Sequence, residues 1–290
     1  MKELIEKAKT LVEALPYIRR FWGRTMVIKY GGAAMAAQDL GDLFAQDVAL
    51  MKYVGMRPVV VHGGGPQIKS ALDRLRIQCE MKDGLRVTNE ATLEVVEMVL
   101  GGPVNSNIVQ LLNRHGVKAV GLTGKDGGLI EAVKYRGEDP KGGVDYGLVG
   151  DVAAIHPEVV EALFDFVPVI APLGVGVDGH TYNINADVAA GHIAAALKAA
   201  KLIILTDVEG VKDKSGSLLH TLSFKEAGRM IEDGTISGGM IPKIKCCLSA
   251  LERGAEKAHI IDGRVEHSVL LEIFTDTGVG TQIIGKETGK

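Results

Sequence analysis

The chain has 290 residues, of which 46% are hydrophobic and 24% are charged, the proportions of an ordinary soluble globular protein. Its formal net charge of -3 and its aromatic content of 4% argue against a nucleic-acid partner, which would need a basic surface or stacking rings. The N-terminus lacks the apolar segment of a signal peptide, and no apolar run approaches the roughly 20 residues of a membrane helix. These features predict a cytoplasmic protein with a small-molecule ligand and no membrane partner.

Residues 1–22 predict an amphipathic helical arm. Leu4, Leu11 and Leu15 recur at helical spacing among charged residues, and Pro16 is expected to interrupt the helix. The pattern leaves two interpretations open. The helix packs on its own domain, or it packs on another subunit, since it precedes the first strand and does not join two strands.

From Met26 onward, short runs rich in valine and isoleucine alternate with amphipathic helical stretches. This alternation predicts parallel strands joined by helical crossovers, and therefore an α/β fold: a three-layer αβα sandwich around a mainly parallel sheet. The strands are predicted at 25–30, 58–62, 118–122, 167–171, 202–206 and 258–262. The helices are predicted near 38–54, 66–76, 89–99, 104–115, 156–165, 186–199, 223–232 and 241–253.

One segment and one boundary depart from this alternation. Residues 129–155 alternate apolar and polar positions around the turn EDPKGG, which predicts an antiparallel hairpin at an edge of the sheet. Between Lys198 and Lys201 an alanine-rich helix gives way to a new strand. We divide the chain there into two predicted lobes, 23–198 and 199–290.

The three cysteines are Cys79, Cys246 and Cys247. Two are adjacent and the third is isolated, a spacing that matches neither a disulfide framework nor a zinc site. We therefore expect buried or half-buried thiols.

Two clusters of glycine stand where predicted strands end. Gly31-Gly32 follows MVIKY, and Gly63-Gly64-Gly65 follows PVVVH, with a helix predicted after each. Ligands of open α/β sheets bind beyond the carboxyl ends of the strands, where glycine lets backbone N–H groups approach an anion. A tight turn without a ligand would explain one cluster, but two of the same design favour an anion site. Neither cluster matches the P-loop or the dinucleotide-binding fingerprint.

Charged and amide side chains accompany these turns. Lys29 is expected at the end of a buried strand, where an anion offsets the cost of burying the ammonium; a lysine that reaches back to solvent is the alternative. Asn183, Asn185 and Asp187 are predicted on a loop entering a helix, and they are more polar groups than one N-cap requires. Lys243 follows the glycines of SGGM and gives a second lysine beside a glycine turn.

Six motifs resemble the amino acid kinase family: VIKYGG, VVVHGGGPQI, DGLRVTNE, YNINADVAAGHIAAAL, ILTDVEGV and GGMIPKIK. They occur in the order and at about the spacing of that family, over nearly the whole chain. GLRVT with NINAD is similar to the branch that phosphorylates N-acetyl-L-glutamate. The resemblance implies the amino acid kinase fold and ATP-dependent phosphorylation of the side-chain carboxylate of N-acetyl-L-glutamate, the second step of arginine biosynthesis. Two alternatives remain. One is a non-catalytic nucleotide-binding or storage protein, which predicts loss of residues that are present here; the other is a different kinase of the family.

The resemblance also implies roles for individual residues. Lys29 and Lys243 would contact the transferring phosphoryl group, with Asp187 holding both ammonium groups. The other implied site residues are Gly31 and Gly32 for the phosphoryl group; Gly64, Gly65, Arg86, Asn183 and Asn185 for acetylglutamate; and Thr206, Asp207, Gly210, Val211, Gly238 and Met240 for ATP. Mg²⁺ is expected to enter with ATP, coordinated by phosphate oxygens and water. The acceptor carboxylate is already ionised at neutral pH, so no general base is required and His62 is expected to be structural.

Two regions outside the catalytic motifs resemble the arginine-sensitive members of the family. The N-terminal helix is similar to the one that joins their dimers into a hexamer, and GRVEHSVLLEIFTDTGVGTQI is similar to their arginine site. The resemblance implies a homohexamer (a trimer of dimers) with L-arginine as effector. The implied effector residues are Lys212, His267, Glu272, Gly278 and Gly280. For Glu272 the alternative is an ordinary exposed charge on a helix.

Overall fold

The computed structural model describes residues 1–35, 38–137 and 144–285. The helices are α1 (Lys2–Phe21), α2 (Gln38–Tyr53), α3 (Gly65–Leu75), α4 (Glu90–Val99), α5 (Asn105–Arg114), α6 (Glu158–Ala162), α7 (Ala186–Ala196), α8 (Phe224–Glu232), α9 (Met240–Glu252) and α10 (Ser268–Ile273). The strands are β1 (Thr25–Tyr30), β2 (Arg57–His62), β3 (Met81–Lys82), β4 (Leu85–Arg86), β5 (Ala119–Thr123), β6 (Ile130–Lys134), β7 (Val149–Ile155), β8 (Val167–Ala171), β9 (Leu173–Gly176), β10 (Thr181–Ile184), β11 (Lys201–Thr206), β12 (Thr221–Ser223), β13 (Lys257–Asp262) and β14 (Thr281–Ile284).

Eight of these strands form the central sheet, in the order β12-β14-β13-β11-β1-β2-β8-β5. Neighbours are parallel except β13 and β14, which are antiparallel. Strands buried on both faces need apolar side chains at successive positions. Accordingly, Met26 and Ile28 of β1 lie in one core and Val27 lies in the other. Residues of α2, α4 and α5 fill the first core and residues of α7, α8 and α9 the second, which confirms the αβα sandwich.

The six strands predicted from the valine-rich runs are all present, and none of their ends differs from the prediction by more than one residue. Helix α7 ends three residues earlier than predicted. Lys198 adopts a left-handed conformation (φ 46°), which cannot continue a right-handed helix. The expected thiols are confirmed as well, since Cys246 and Cys247 are buried and Cys79 is half-buried, all three unpaired with one another.

The hairpin predicted over residues 129–155 is antiparallel as expected, but its placement at an edge of the central sheet was wrong. Strands β6 and β7 pair with β9 and β10 in a separate closed barrel of four strands. Glycine permits this tight closure, because a Cβ at Gly150 would lie 2.5 Å from Cβ of Tyr182. The sequence interpretation missed β9 and β10, which are only four residues long. The EDPKGG turn (138–143) lies outside the described residues.

Pro16 does not interrupt the first helix, contrary to the sequence prediction. Helix α1 continues through it from Lys2 to Phe21. A proline removes one intrahelical hydrogen bond, to the carbonyl four residues earlier. That carbonyl belongs to Val12, whose residue is 67% exposed, so water can take the place of the missing donor.

The helical stretch Glu90–Arg114 is long and apolar enough to cross a membrane, judged by length and composition alone. It joins α4 and α5 through a π-helical turn at Leu100–Val104. Val96 and Val99 of α4 and Leu112 of α5 are buried in the first core. Its apolar face therefore packs against the sheet, as in the core helix of a globular domain.

Candidate active site

The carboxyl ends of three adjacent strands, β11, β1 and β2, meet at one edge of the sheet. The two glycine turns follow β1 and β2, and they touch: the N–H of Gly63 donates to the carbonyl of Tyr30 at 2.8 Å. A Cβ at Gly31 would lie 3.3 Å from the nitrogen of Gly63 and 3.4 Å from Nζ of Lys29. A side chain at position 31 would therefore occupy the space in front of Lys29.

Asp187 joins two lysines that are far apart in the sequence. Nζ of Lys29, at the end of β1, lies 3.0 Å from Oδ1 of Asp187. Nζ of Lys243, in the first turn of α9, donates to Oδ2 at 2.7 Å. Oδ1 has an ion pair but no aligned hydrogen bond among the described residues. The three side chains form what we call the ion cluster, with net charge +1, and its members are 11% to 20% exposed.

The ion cluster fixes the charge state of Asp187. Burial alone would raise the pKa of its carboxyl, but the attraction of Lys29 and Lys243 and the hydrogen bond from Lys243 outweigh burial and leave the pKa below its ordinary value. The carboxylate is therefore ionised at neutral pH. One positive charge remains uncompensated in a site lined by glycine, which favours an anionic ligand.

The N-terminal cap of α7 fixes the backbone position of Asp187. Asn185 is the N-cap of α7, and its side chain accepts from the N–H groups of Asp187 (2.8 Å) and Val188 (3.3 Å). Asp187 lies in the first turn of that helix, where the helix dipole also favours a negative charge. The sequence prediction put Asn183 on a loop together with these two residues. That was wrong, since Asn183 is in β10 and extended pairing with β9 fixes its direction.

Four of the five residues predicted for acetylglutamate gather around the start of α3; the fifth, Asn185, caps α7 instead. Gly64 is the N-cap and Gly65 the first residue of this helix, so their N–H groups belong to its positive end. Nη2 of Arg86 donates to the carbonyl of Gly65 at 3.2 Å. Nδ2 of Asn183 donates to Oγ1 of Thr88 at 3.3 Å, and that hydroxyl donates to the carbonyl of Arg86.

The position of Arg86 depends on a short hairpin, β3 to β4. Asp83 and Gly84 both have positive φ, 51° and 76°, as a two-residue turn with the twist of a hairpin requires. The Asp-Gly pair was a readable signal for this turn. Thr88 was not predicted as a site residue, although it is fully buried and connects Arg86 to Asn183.

His62 supports the second glycine turn and does not act as a base. Asn105 donates from Nδ2 to its Nε2 at 3.1 Å, so Nδ1–H of the ring donates to the carbonyl of Gly63 at 2.9 Å. Burial lowers the pKa of His62 to about 4, which keeps the imidazole neutral. Asn105 was missed by the sequence interpretation; the only signal was a polar residue on the buried face of a predicted helix.

The residues predicted for the nucleotide lie on two elements beside the ion cluster. Thr206 ends β11, and Asp207 follows it, accepting from Oγ1 of Thr206 at 3.2 Å. Gly238 and Met240 stand at the start of α9, three to five residues before Lys243. The turn after β11 is held in place by Thr281, because the N–H of Val211 donates to Oγ1 of Thr281 at 2.8 Å. A Cβ at Gly210 would lie 2.6 Å from that same hydroxyl.

A cavity of about 720 Å³ lies beside the helices that carry Asp187 and Lys243, but the three side chains of the ion cluster do not form its wall. It lies between the first turns of α7 and α9 and the barrel, and its wall includes Asn185, Val188, Gly238, Ile241 and Leu85. Its size and its mixed apolar and polar wall are typical of a site for a small organic ligand.

The predicted effector residues come together in part. Glu272 of α10 is 5% exposed, so the alternative of an exposed helix charge is wrong. Its carboxylate accepts from Nδ1 of His259 at 2.6 Å and from the N–H groups of Val279 and Gly280 at 2.8 and 3.3 Å. A Cβ at Gly278 would lie 2.5 Å from the carboxylate, so that glycine makes room for Glu272.

The other two effector candidates have different partners. His267 contacts the buried Asp47 of α2 at 2.6 Å through Nδ1. Lys212 pairs with Glu209 at 2.8 Å in the turn after β11. Since Val211 is tied to Thr281, this turn and the segment that follows Glu272 are adjacent.

The fold and the paired lysines define the class of protein. The model of the amino acid kinase family matches residues 24–262, and the chain belongs to the amino acid kinase family. The family expected from the order of the motifs is therefore confirmed, and the chain is a phosphotransferase.

The similarity extends to particular proteins. The chain is 55% identical to the acetylglutamate kinase of Syntrophobacter fumaroxidans, over 99% of both chains. It is 57% identical to the acetylglutamate kinase of Geotalea daltonii, over 98% of this chain and 99% of that one.

Solved structures share the fold. N-acetylglutamate synthase from Neisseria gonorrhoeae, complexed with coenzyme A and N-acetyl-glutamate, has a TM-score of 0.85 and 28% identity; the likeness covers 97% of this chain but only 64% of the synthase. Carbamate kinase from Giardia lamblia bound to AMP-PNP has a TM-score of 0.67 over 91% of this chain. At 17% identity the second likeness concerns the fold alone.

Proposed function

We propose that the chain transfers the γ-phosphoryl group of ATP to the side-chain carboxylate of N-acetyl-L-glutamate, giving N-acetyl-L-glutamyl 5-phosphate in the second step of arginine biosynthesis. The observation that carries the proposal is the ion cluster of Lys29, Asp187 and Lys243, set in front of two glycine turns at the sheet edge. Relatives that are 55% to 57% identical over nearly the whole chain are acetylglutamate kinases.

The reaction brings one anion onto another, so the chain contributes positioning and positive charge. The carboxylate acceptor is ionised at neutral pH, and the neutral His62 is not required to take a proton. Lys29 and Lys243 approach the transferring phosphoryl group from two different elements. Asp187 holds both ammonium groups in a fixed geometry, which reduces the reorganisation needed as charge develops.

The substrate carboxylates require donors on the side of α3. The planar guanidinium of Arg86 suits a bidentate contact with a carboxylate, which lysine makes poorly. The N–H groups of Gly64 and Gly65 add the positive end of a helix. Asn183 supplies amide donors or an acceptor for the remaining polar groups of acetylglutamate.

ATP is proposed to bind between the turn after β11 and the start of α9. Thr206, Asp207 and Gly210 lie on the first element, and Gly238 and Met240 on the second. Magnesium would enter with the nucleotide, coordinated by phosphate oxygens and water, and would bridge the phosphates. ATP as phosphoryl donor fits a cytoplasmic location.

The two halves of the central sheet come from two separate parts of the chain. The strands of one half of the sheet, from β1 to β5 in its order, come from residues before 172, and those of the other half come from residues after 200. We propose lobes at 23–198 and 199–290, with the acid substrate on the first and ATP on the second.

A coupled assay of ADP release tests the proposed reaction. Acetylglutamate, glutamate, aspartate, carbamate and UMP are offered in turn with ATP and Mg²⁺. Turnover with acetylglutamate, at a kcat/KM at least about a hundredfold above the other four, is expected, since only acetylglutamate fills both the carboxylate and the amide contacts. Preferential turnover of another acceptor would refute the substrate assignment.

We also propose that the chain assembles as a homohexamer, a trimer of dimers, through α1. Leu4, Leu11 and Val12 are 63%, 75% and 67% exposed, an apolar row that no other part of the described chain covers. Exposed apolar rows of this kind indicate an interaction surface. The far end of the same helix is anchored, because the hydroxyl of Tyr17 donates to Asp276 at 2.5 Å.

L-Arginine is the proposed effector. N-acetylglutamate synthase from Neisseria gonorrhoeae, in a complex with coenzyme A and L-arginine, has a TM-score of 0.80 and 25% identity. A carboxylate has about four acceptor positions, and three at Glu272 are used by internal donors. A guanidinium would therefore replace part of this network and shift α10, which changes the position of the adjoining nucleotide turn.

The arm and the effector are tested together. Light scattering on the full chain should give a hexamer whose activity falls in millimolar arginine. A chain starting at Arg24 should give a dimer with much weaker inhibition. A full-length dimer, or a hexamer whose activity ignores arginine, would contradict this part of the proposal.

A further inference from the structure

Asp187 and Lys243 lie on two helices that pack closely against each other. The close contact is between Gly191 and Cys246, one helical turn after each of those side chains. Asp187 is in α7 and Lys243 in α9, and the helices pack against each other. Gly191 lies four residues after Asp187, and Cys246 lies three residues after Lys243. Such spacings place residues on the same face of a helix, so the close approach is stacked directly beneath the ion pair.

A methyl group at 191 fits only if the thiol of Cys246 rotates away or α9 moves outward. A Cβ at Gly191 would lie 2.7 Å from Sγ of Cys246 and 3.4 Å from its carbonyl oxygen. The thiol in turn donates to the backbone carbonyl of Asp187 at 2.7 Å. Both residues are buried, and Cys246 is 7% exposed. The backbone of α7 at Asp187 is therefore linked directly to α9 near Lys243.

Helix propensity does not explain this glycine. Glycine in a helix interior costs about 1 kcal/mol relative to alanine. Gly191 has no positive φ that would require it, and it interrupts a helix otherwise rich in alanine, ADVAAGHIAAA. By contrast, a Cβ at Gly228 of α8 would meet nothing within 4 Å. The packing at Cys246 is the feature that distinguishes Gly191.

The thiol is suited to a permanent structural contact. Burial, and then the negative charge of Asp187, raise the pKa of Cys246 well above its ordinary range. The sulfur therefore stays protonated at neutral pH and keeps its donor. A thiolate here would instead repel the carboxylate of Asp187.

We propose that Gly191 and Cys246 are positioning residues, whose close contact sets the ammonium of Lys243 against the carboxylate of Asp187. The inference rests on the proposed catalytic roles of those two side chains. A methyl at 191 needs about 0.7 Å more space, the difference between 2.7 Å and an ordinary contact of 3.4 Å. Displacing α9 by that amount moves the root of Lys243 away from Asp187, and errors approaching 1 Å can cost about a hundredfold in rate.

Four variants test the proposal: Gly191→Ala, Cys246→Ala, the double variant, and Gly228→Ala as control. Gly191→Ala should lower kcat about 10- to 100-fold while the KM values for acetylglutamate and ATP change less than about threefold. Gly228→Ala should match the wild type. In the double variant the new methyl occupies the space of the lost sulfur, so kcat should return to within about threefold of Cys246→Ala.

Two results would overturn the inference. One is a normal kcat for Gly191→Ala, and the other is a double variant whose kcat is no higher than that of Gly191→Ala. If Gly191→Ala does not fold, the comparison of the double variant with Cys246→Ala decides alone: equal kcat values support the contact, and a kcat about a hundredfold lower refutes it.

A crystal structure of folded Gly191→Ala separates this inference from the proposed function. The distance between Nζ of Lys243 and Oδ2 of Asp187, now 2.7 Å, should exceed the limit of a hydrogen bond whatever the substrate is. A wild-type chain without acetylglutamate kinase activity would refute the function and leave the contact standing. An unchanged distance in the variant would refute the contact and leave the function standing.

Discussion

Replacing Asp187 with asparagine removes the one negative charge that Lys29 and Lys243 share. The ion pairs of 3.0 and 2.7 Å each correspond to a gross attraction of about 5 to 6 kcal/mol at an effective dielectric constant of 20. The cost of burying the carboxylate offsets a large part of this attraction. Removing one partner of a buried ion pair typically costs about 3 to 5 kcal/mol, and we expect Asp187→Asn to lie in that range.

The loss of stability in Asp187→Asn should depend on whether ATP is bound. In the proposed mechanism Asp187 competes with ATP for the two ammonium groups, and its removal leaves a site with net charge +2 in place of +1. The phosphates can supply the missing negative charge, and saturating ATP should therefore restore more stability to the variant than to the wild type. The KM for ATP should not rise. The lysines lose their fixed geometry, so kcat should fall by about 10² or more.

Urea unfolding with and without ATP, together with the coupled ADP assay, measures these quantities. Asp73→Asn is the matched control, because Asp73 is an exposed residue of α3 and the same chemical change there should alter the free energy of unfolding by less than about 0.5 kcal/mol. If Asp187→Asn unfolds like the wild type, or turns over at a normal rate, Asp187 does not hold Lys29 and Lys243 in the proposed geometry.

The remaining predictions concern four other residues. Lys29→Met should lower kcat about 10²- to 10³-fold with little change in either KM, and near-normal turnover would remove it from the mechanism. Arg86→Lys should raise the KM for acetylglutamate and leave that for ATP almost unchanged, whereas equal damage to both would indicate a structural arginine. His62 has a folded pKa of about 4 and an unfolded pKa near 6.5, so between these values the unfolded chain binds more protons and stability falls as pH is lowered. At pH 5 this loss is about 2 kcal/mol relative to pH 7 and should be absent in His62→Gln, which urea midpoints at the two pH values would reveal. Glu272→Gln should raise the arginine concentration for half-inhibition at least about tenfold, and an unchanged value would place the effector elsewhere.

The sequence by itself determined the parts of this protein that depend on local chemistry. The strand that carries Lys29 was readable because an unbroken apolar run must be buried on both faces. The turns at Gly31 and Gly63 were readable because only glycine brings a backbone so close to a ligand or a neighbouring turn. The Asp-Gly pair before Arg86 likewise specifies its hairpin within two residues. All of these signals lie within a few positions of the structure that they predict.

The tertiary structure decided which side chains contact each other across the fold. The family resemblance implied that Asp187 holds Lys243, but nothing within a few residues of Asp187 indicates that its carboxylate lies 2.7 Å from a lysine 56 positions later. The burial of Glu272 against His259, and the contact of Asn105 with His62, also arise from the way separate helices pack on the sheet. The barrel strand that carries Asn183 was missed for the same reason, since four residues carry too little periodicity and only closure with β7 and β9 makes them a strand. Side-chain partners and barrel closure depend on contacts between segments distant in the chain, which local patterns do not encode.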